Sequence, residues 1–221
     1  MHKLEHIAEE IRKDFDTRTA ARDKALARAR QLTRASSLAI RAVHRDDTNE
    51  MNMHLTEAHQ LAKTLNTDLL DHPDLFFAGY TQDALKEYVE ANITCALIRD
   101  EALLTPEELG VVNSTYLNGL AEVVGELRRR ILDILRHGYS KEAERLLGYM
   151  DEIYSVLVTM DYPDAITSGL RRQTDIARSI IEKTRGDITI SLRGEHLEQA
   201  IERLSTQLNS TQAEGPNEAE K

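Results

Sequence analysis

Apolar residues return every three or four positions along almost the whole chain, which is the spacing of helices that bury one face. The first such segment runs from His2 to about Arg45, with a bend expected at "DFDT", residues 14 to 17. In its second half Ala25, Ala29, Leu32, Ser36, Ile40 and Val43 share a face of mostly small residues, suited to close helix packing. A second helix follows in "TNEMNMHLTEAHQLAKTLNTDL", with Thr48 as the expected N-cap and Met51, Leu55, Ala58, Leu61 and Leu65 facing inward. Pro73 disfavours helical geometry at His72, so "HPDLFFAGYT" reads as a connector.

The pattern predicts a third helix from about Thr81 to Leu103, and a short capped turn at "TPEELGVVN" with Pro106 in the first helical position. A fourth helix covers about Ser114 to His137 and stops at Gly138. Two further helices are expected over Ser140 to Thr159 and Asp164 to Gly186, and a last one over Gly194 to Asn209. "DITISL", residues 187 to 192, is the one stretch with a strand-like look, and no internal repeat is visible. The expected architecture is therefore an all-α bundle of six to seven helices spanning residues 1–208, followed by a polar, disordered tail at 209–221.

Composition agrees: four prolines and ten glycines in 221 residues leave the helices few interruptions. With no tryptophan and three phenylalanines, aliphatic side chains must fill the core. The single cysteine, Cys95, cannot form an intramolecular disulfide or a Cys-rich metal site, and its place on an apolar face suits a buried thiol. The amino-terminal segment has charges every few residues and lacks the apolar core of a signal peptide; no run of 18 apolar residues occurs, so a cytoplasmic, non-membrane protein is expected.

Charge adds a second layer. The formal net charge is −10, yet eight basic residues and only Asp23 among the acids lie between Arg18 and Arg45. At about 100° per residue, Arg30, Arg34, Arg41 and Arg45 fall within roughly 60° of one another. Such a stripe is either a solvated face paired with acids elsewhere or a track of guanidinium forks for phosphates.

The third helix poses the sharper question. In "KEYVEANITCAL", residues 86 to 97, Glu87 and Glu90 sit among residues that want burial. The fourth helix carries a matching pair, Glu122 and Glu126, four apart and beside the apolar seam of Leu117, Leu120, Val124, Leu127 and Ile131. If the two helices pack antiparallel through these faces, four carboxylates converge, and their repulsion calls for a hard divalent cation, Mg²⁺ or Mn²⁺. A cluster of that kind can activate water and stabilise the leaving oxygen in phosphodiester cleavage. Two exposed faces paired with neighbouring Lys and Arg are the plainer alternative. A ferritin-like di-iron site is excluded, because no histidine has Glu three residues before it. Gly119 and Gly125 on the fourth helix predict close approach by another helix or a ligand.

At these residues the chain resembles the translin family, within it the branch of translin-associated factor X and its single-gene archaeal relatives. "EYVEA" at 87–91 is similar to that branch's first acidic motif, and "YLNGLAEVVGELRR" at 116–129 to its second. "LRRQTDIARSIIEKTRGDITISLRG" at 170–194 looks like the family's carboxy-terminal helix, and "IRAVHR" at 40–45 loosely matches an amino-terminal motif. The resemblance implies an all-helical protomer assembling into a hollow, octamer-like homo-oligomer. It further implies Mg²⁺-dependent endoribonuclease activity on single-stranded or nicked RNA, with Glu87, Glu90, Glu122 and Glu126 as catalytic metal ligands. Two features depart from the eukaryotic catalytic subunit: it usually has Asp where this chain has Glu122, and it has a long loop between the motifs. In this reading Arg30, Arg34, Arg41 and Arg45 line the cavity and meet RNA. The rivals are a non-catalytic single-stranded RNA- or DNA-binding oligomer like translin itself, which has no need of the acid quartet, and a purely structural helical oligomer.

Overall fold

A computed structural model describes residues 2–213, with side chains from 3 to 209. In chain order the helices are α1 His2–His44, α2 Thr48–Asp68, α3 Pro73–Phe76, α4 Gly79–Arg99, α5 Pro106–Leu109, α6 Asn113–Leu135, α7 Lys141–Leu157, α8 Asp164–Thr167 and α9 Leu170–Ala213. Three of these are single turns, so six long helices carry the bundle, and no strand occurs among the described residues.

The expected inward faces hold. Ala25, Ala29, Leu32, Ser36, Ile40 and Val43 are all buried, as are Met51, Ala58 and Leu65 on α2 and Leu120, Val124, Leu127 and Ile131 on α6. Helix α4 is buried almost all round, from Ala84 and Leu85 to Leu97 and Ile98, because α1, α2 and α6 all pack on it. Cys95 lies in this core with its Sγ 3.9 Å from the Ala39 carbonyl.

Several boundaries differ from the pattern, each for a local reason. The α1 helix does not break at residues 14 to 17; exposed ion pairs such as Arg12–Glu9 and Lys13–Glu10 run through that overhanging half, which has no core to bend around. The N-cap of α2 is Asp47, not Thr48: its carboxylate accepts the Glu50 amide at 3.0 Å. At the other end of α4, Asp100 turns left-handed (φ 60°), ending the helix before Leu103. Arg145 then donates to the Leu97 and Ile98 carbonyls at 3.0 and 3.1 Å, satisfying acceptors that the helix end leaves open. Thr105 and Glu108 close α5 with a reciprocal capping box, as "TPEEL" predicts.

The last two predicted helices are one. A left-handed pair, Ser168 (φ 54°) and Gly169 (φ 82°), separates α8 from α9, which then continues unbroken through "DITISL" and Gly194. The β-branched residues there lie on a helix already seated against α6 and α7, and tertiary packing overrides their local preference. The expected tail begins at 209, but α9 continues to Ala213; residues 214–221 lie outside the described residues.

Contacts also give the relative direction of α4 and α6. Gln82 bonds Thr115, Lys86 bonds Glu122, and an added Cβ at Gly119 would meet both Val89 and the Lys86 carbonyl. Sequence numbers rise together on both sides, so α4 and α6 run parallel, not antiparallel. The connection through α5, residues 100 to 112, carries the chain back across the bundle to make this possible.

Candidate functional site

The acid site is built by one close helix crossing. Gly119 has no side chain, and a Cβ there would lie 2.8 Å from Val89 and 2.9 Å from the Lys86 carbonyl. Only glycine lets α6 come this near α4 without displacing backbone. One turn further on, the crossing sets Glu87 and Glu90 of α4 beside Glu122 and Glu126 of α6. Gly125, by contrast, has nothing within 4 Å of its missing Cβ, so the expected close approach by another helix holds for Gly119 alone.

All four carboxylates are half-buried, and they feel one another. Burial pushes the Glu90 carboxyl up to about 8, and the charges of Glu122, Glu126 and Glu87 push the same way. Burial and Glu122 also raise Glu87. At neutral pH Glu90 therefore holds its proton, which relieves part of the repulsion.

Neighbouring side chains of the protein engage the other two acids. Lys86 donates to Glu122 Oε1 at 2.8 Å, and Gln173 of α9 reaches the same oxygen at 3.5 Å. Burial works against the ammonium of Lys86, but Glu122, Asp83 and Glu87 outweigh it and hold its pKa above the usual lysine range. On the other side, His44 places Nε2 2.6 Å from Glu126 Oε2, and Arg129 stands 3.5 Å from that oxygen. The hydrogen bond with His44 holds Glu126 below the ordinary carboxylate range. His44 is only 4% exposed and its Nδ1 has no partner. Next to it, Arg130 ties the end of α1 to α6 through Asp46 at 3.0 Å and the His44 carbonyl at 3.5 Å.

The donor set is thus four hard oxygen ligands on one face, the right chemistry for Mg²⁺ or Mn²⁺. With Glu122 turned to Lys86 and Glu126 to His44, no three acidic, histidine or cysteine side chains among the described residues converge tightly enough to hold an ion. His44, Lys86 and Gln173 were not singled out from sequence as site residues. His44 stood inside the "IRAVHR" motif, and Lys86 precedes Glu87 and lies one turn before Glu90, so both carried a signal. Gln173 carried none.

The arginines are a different kind of feature. Arg30, Arg34 and Arg41 on α1, and Arg45 just past its end, are all exposed. Arg45 pairs with Glu50 at 2.5 Å; the other three make no ion pair within the described chain. Arg34 borders a shallow hollow with His54 and Glu57. Elsewhere on α1 the basic residues are tied down, Arg18 to Asp74, and Lys24 and Arg28 to Asp68. No described helix is long and apolar enough to cross a membrane.

No protein-family model matches the sequence. An uncharacterized protein of Methanocaldococcus jannaschii is 33% identical over 192 residues, which is 86% of this chain and 85% of that one. Among solved structures, AfC3PO is similar in two forms. Its complex with duplex RNA is 34% identical and superposes with a TM-score of 0.78, covering 84% of this chain and 96% of that one. The second AfC3PO crystal structure has 33% identity and the same TM-score, covering 84% and 97%. Apo-NeC3PO, at 23% identity and TM-score 0.75 over 83% and 96%, shares the fold.

Proposed function

The chain belongs to the translin family, and from that premise we propose that it is a Mg²⁺-dependent endoribonuclease, acting on single-stranded or nicked RNA inside a homo-oligomeric shell. The observation that carries this reading is the gathering of four half-buried carboxylates, Glu87, Glu90, Glu122 and Glu126, at the close crossing of α4 and α6, where burial and the neighbouring acids push the Glu90 carboxyl upward. A family fold needs no such repulsive group for stability. Its cost is understandable if an external cation completes the site. Glu87, Glu90, Glu122 and Glu126 would hold Mg²⁺, with Mn²⁺ as substitute. When bound, the ion would supply charge to polarise the scissile phosphate and to acidify the attacking water.

The protein's own groups have defined parts. Lys86 and Gln173 orient Glu122, and His44 with Arg129 orients Glu126. The two neutralised acids are held ready without an ion, and Glu90 must give up its proton for the full donor set. RNA binding is supported by the likeness to AfC3PO, a protein solved with duplex RNA, and by the unpaired arginines on α1.

Assembly is supported by apolar surface with no use in a lone protomer. Leu4, Ile7, Ile11 and Phe15 on α1, and Ile190, Leu197, Ile201, Leu204 and Leu208 on α9, are all exposed at helical spacing. Eight copies is the number expected. Light scattering that finds only monomer at micromolar concentration would overturn the shell.

A second reading has one observation in its favour. Lys86 and His44 already sit on two of the acids, as they would in a metal-free, non-catalytic RNA-binding oligomer. Incubating the protein with end-labelled single-stranded RNA, with Mg²⁺ and with EDTA, separates the two. Cleavage that EDTA abolishes supports the nuclease; binding without cleavage in any divalent ion supports the binding shell.

A further inference from the structure

Beside the acid site, on the far side of Lys86 and Gln173, lies a cavity of about 350 Å³. The α3–α4 corner, the start of α6 and the α8–α9 break enclose it. Its lining includes Phe77, Gln82, Lys86, Ser114, Ser168 and Gln173. Lys86 and Gln173 are the two residues that donate to Glu122 Oε1, so cavity and carboxylates share a wall.

Two features make it a built site. Phe77 is 63% exposed, yet its ring is held edge-on against Phe76 at 5.0 Å and 86°. Phe76 in turn packs on the core. The result is an aromatic ring of fixed attitude presented to water. Gln82 is immobilised at both ends of its amide, donating to the Phe76 carbonyl at 2.7 Å and accepting from Thr115 at 2.5 Å. The rim adds the hydroxyls of Ser114 and Ser168. The volume is near the lower end of the range for small-ligand pockets, about 300–1,000 Å³. One nucleoside fits that space; a stacked duplex does not.

We propose that this cavity receives one unstacked base of an RNA strand, stacked on Phe77, with its sugar-phosphate led past Lys86 and Gln173 to the carboxylates. The inference rests on the RNA reading above and adds to it a position on the protein and a requirement that the base be free of a partner strand. An aromatic face recognises any base through its π surface, so the subsite tolerates sequence; the hydroxyls and amides at the rim are too few to read an edge fully. An unpaired base next to the acids would place the neighbouring phosphate at the site of cleavage.

The chain contains no tryptophan, so Phe77→Trp creates a single indole reporter at the platform. In EDTA, to prevent turnover, short single-stranded RNA should quench its emission with the same midpoint as binding followed by anisotropy. A blunt duplex of equal length should bind without quenching. Phe77→Ala should weaken single-strand binding by about tenfold while leaving blunt-duplex binding nearly unchanged. Single-stranded RNA that binds Phe77→Trp with no change in emission overturns the subsite but not the RNA reading. Equal quenching by blunt duplex, or emission already shifted to the blue and indifferent to RNA because another copy covers the ring, has the same consequence. If no RNA binds the unaltered protein, both fail together.

Discussion

The two charged regions of this molecule follow opposite rules. On α4 and α6, four carboxylates are half-buried and every one is shaped by a neighbour: Glu122 by Lys86, Glu126 by His44, Glu90 and Glu87 by burial and by the other acids. On α1 and at its end, the four arginines are exposed, and only Arg45 has an ion-pair partner among the described residues. Charge placed in a half-buried face must be compensated within the protein or by a bound ion, and so it is arranged residue by residue. Charge placed in water needs no arrangement and gains its meaning only from an external partner. The first region is therefore suited to chemistry at one point, the second to attraction along a surface.

The largest test of that contrast is Glu122→Gln. It keeps shape and removes one ligand charge. Mg²⁺-dependent cleavage should fall by more than the roughly 10–100-fold that changes outside the ligand shell cost. RNA binding should remain, because the arginines are untouched. Wild-type cleavage rates in this variant would break the assignment of the acid face.

Next in size is the combined replacement of Arg30, Arg34, Arg41 and Arg45 by Gln. If these side chains meet phosphates, single-strand affinity measured against salt should lose about 0.7 of slope per contact, close to 3 in all. Circular dichroism and oligomer size should be unchanged, since the side chains are exposed. An unaltered salt slope would make the stripe a solvated face.

Glu90→Gln probes the cost of the acid face in the absence of metal. A carboxyl raised to about 8 in the folded protein keeps its proton where the unfolded chain, near 4.5, has lost it. The contribution of Glu90 to stability is then whole below about pH 4.5 and is lost as pH rises to 8. The Gln variant lacks that share of the decline and keeps only what Glu87 contributes. Urea unfolding in EDTA should show the variant gaining on wild type with pH, by about 2 kcal/mol at pH 9 after allowance for solvent screening, and not at pH 4.5. A constant difference across that range would mean Glu90 titrates normally.

The smallest effect separates the two glycines. Gly119→Ala must push Val89 or the Lys86 backbone aside and should cost about 1–2 kcal/mol, with some loss of activity as the acids shift. Gly125→Ala meets nothing in the protomer and should be neutral or slightly stabilising, by up to about 1 kcal/mol. A loss of RNA binding or assembly in Gly125→Ala would show that something outside the protomer approaches there.

The first five long helices, their inward faces and the two pairs of acids were legible in the sequence, because each depends on residues within one helical turn of another. Leu32, Val43, Leu65 and Leu127 are buried for the reason their spacing announces. The Glu-rich motifs could be singled out as soon as carboxylates appeared beside apolar stripes. What required the tertiary structure was everything that joins distant segments. Parallel packing of α4 on α6 depends on the crossover through residues 100 to 112, and no periodicity contains that information. The fusion of the last two helices depends on α9 resting against α6 and α7, which outweighs the strand preference of "DITISL". His44 reaches Glu126 across 82 positions of sequence, and Gln173 reaches Glu122 across 51. Local spacing placed the acids on their helices; only the fold decided which side chains would face them.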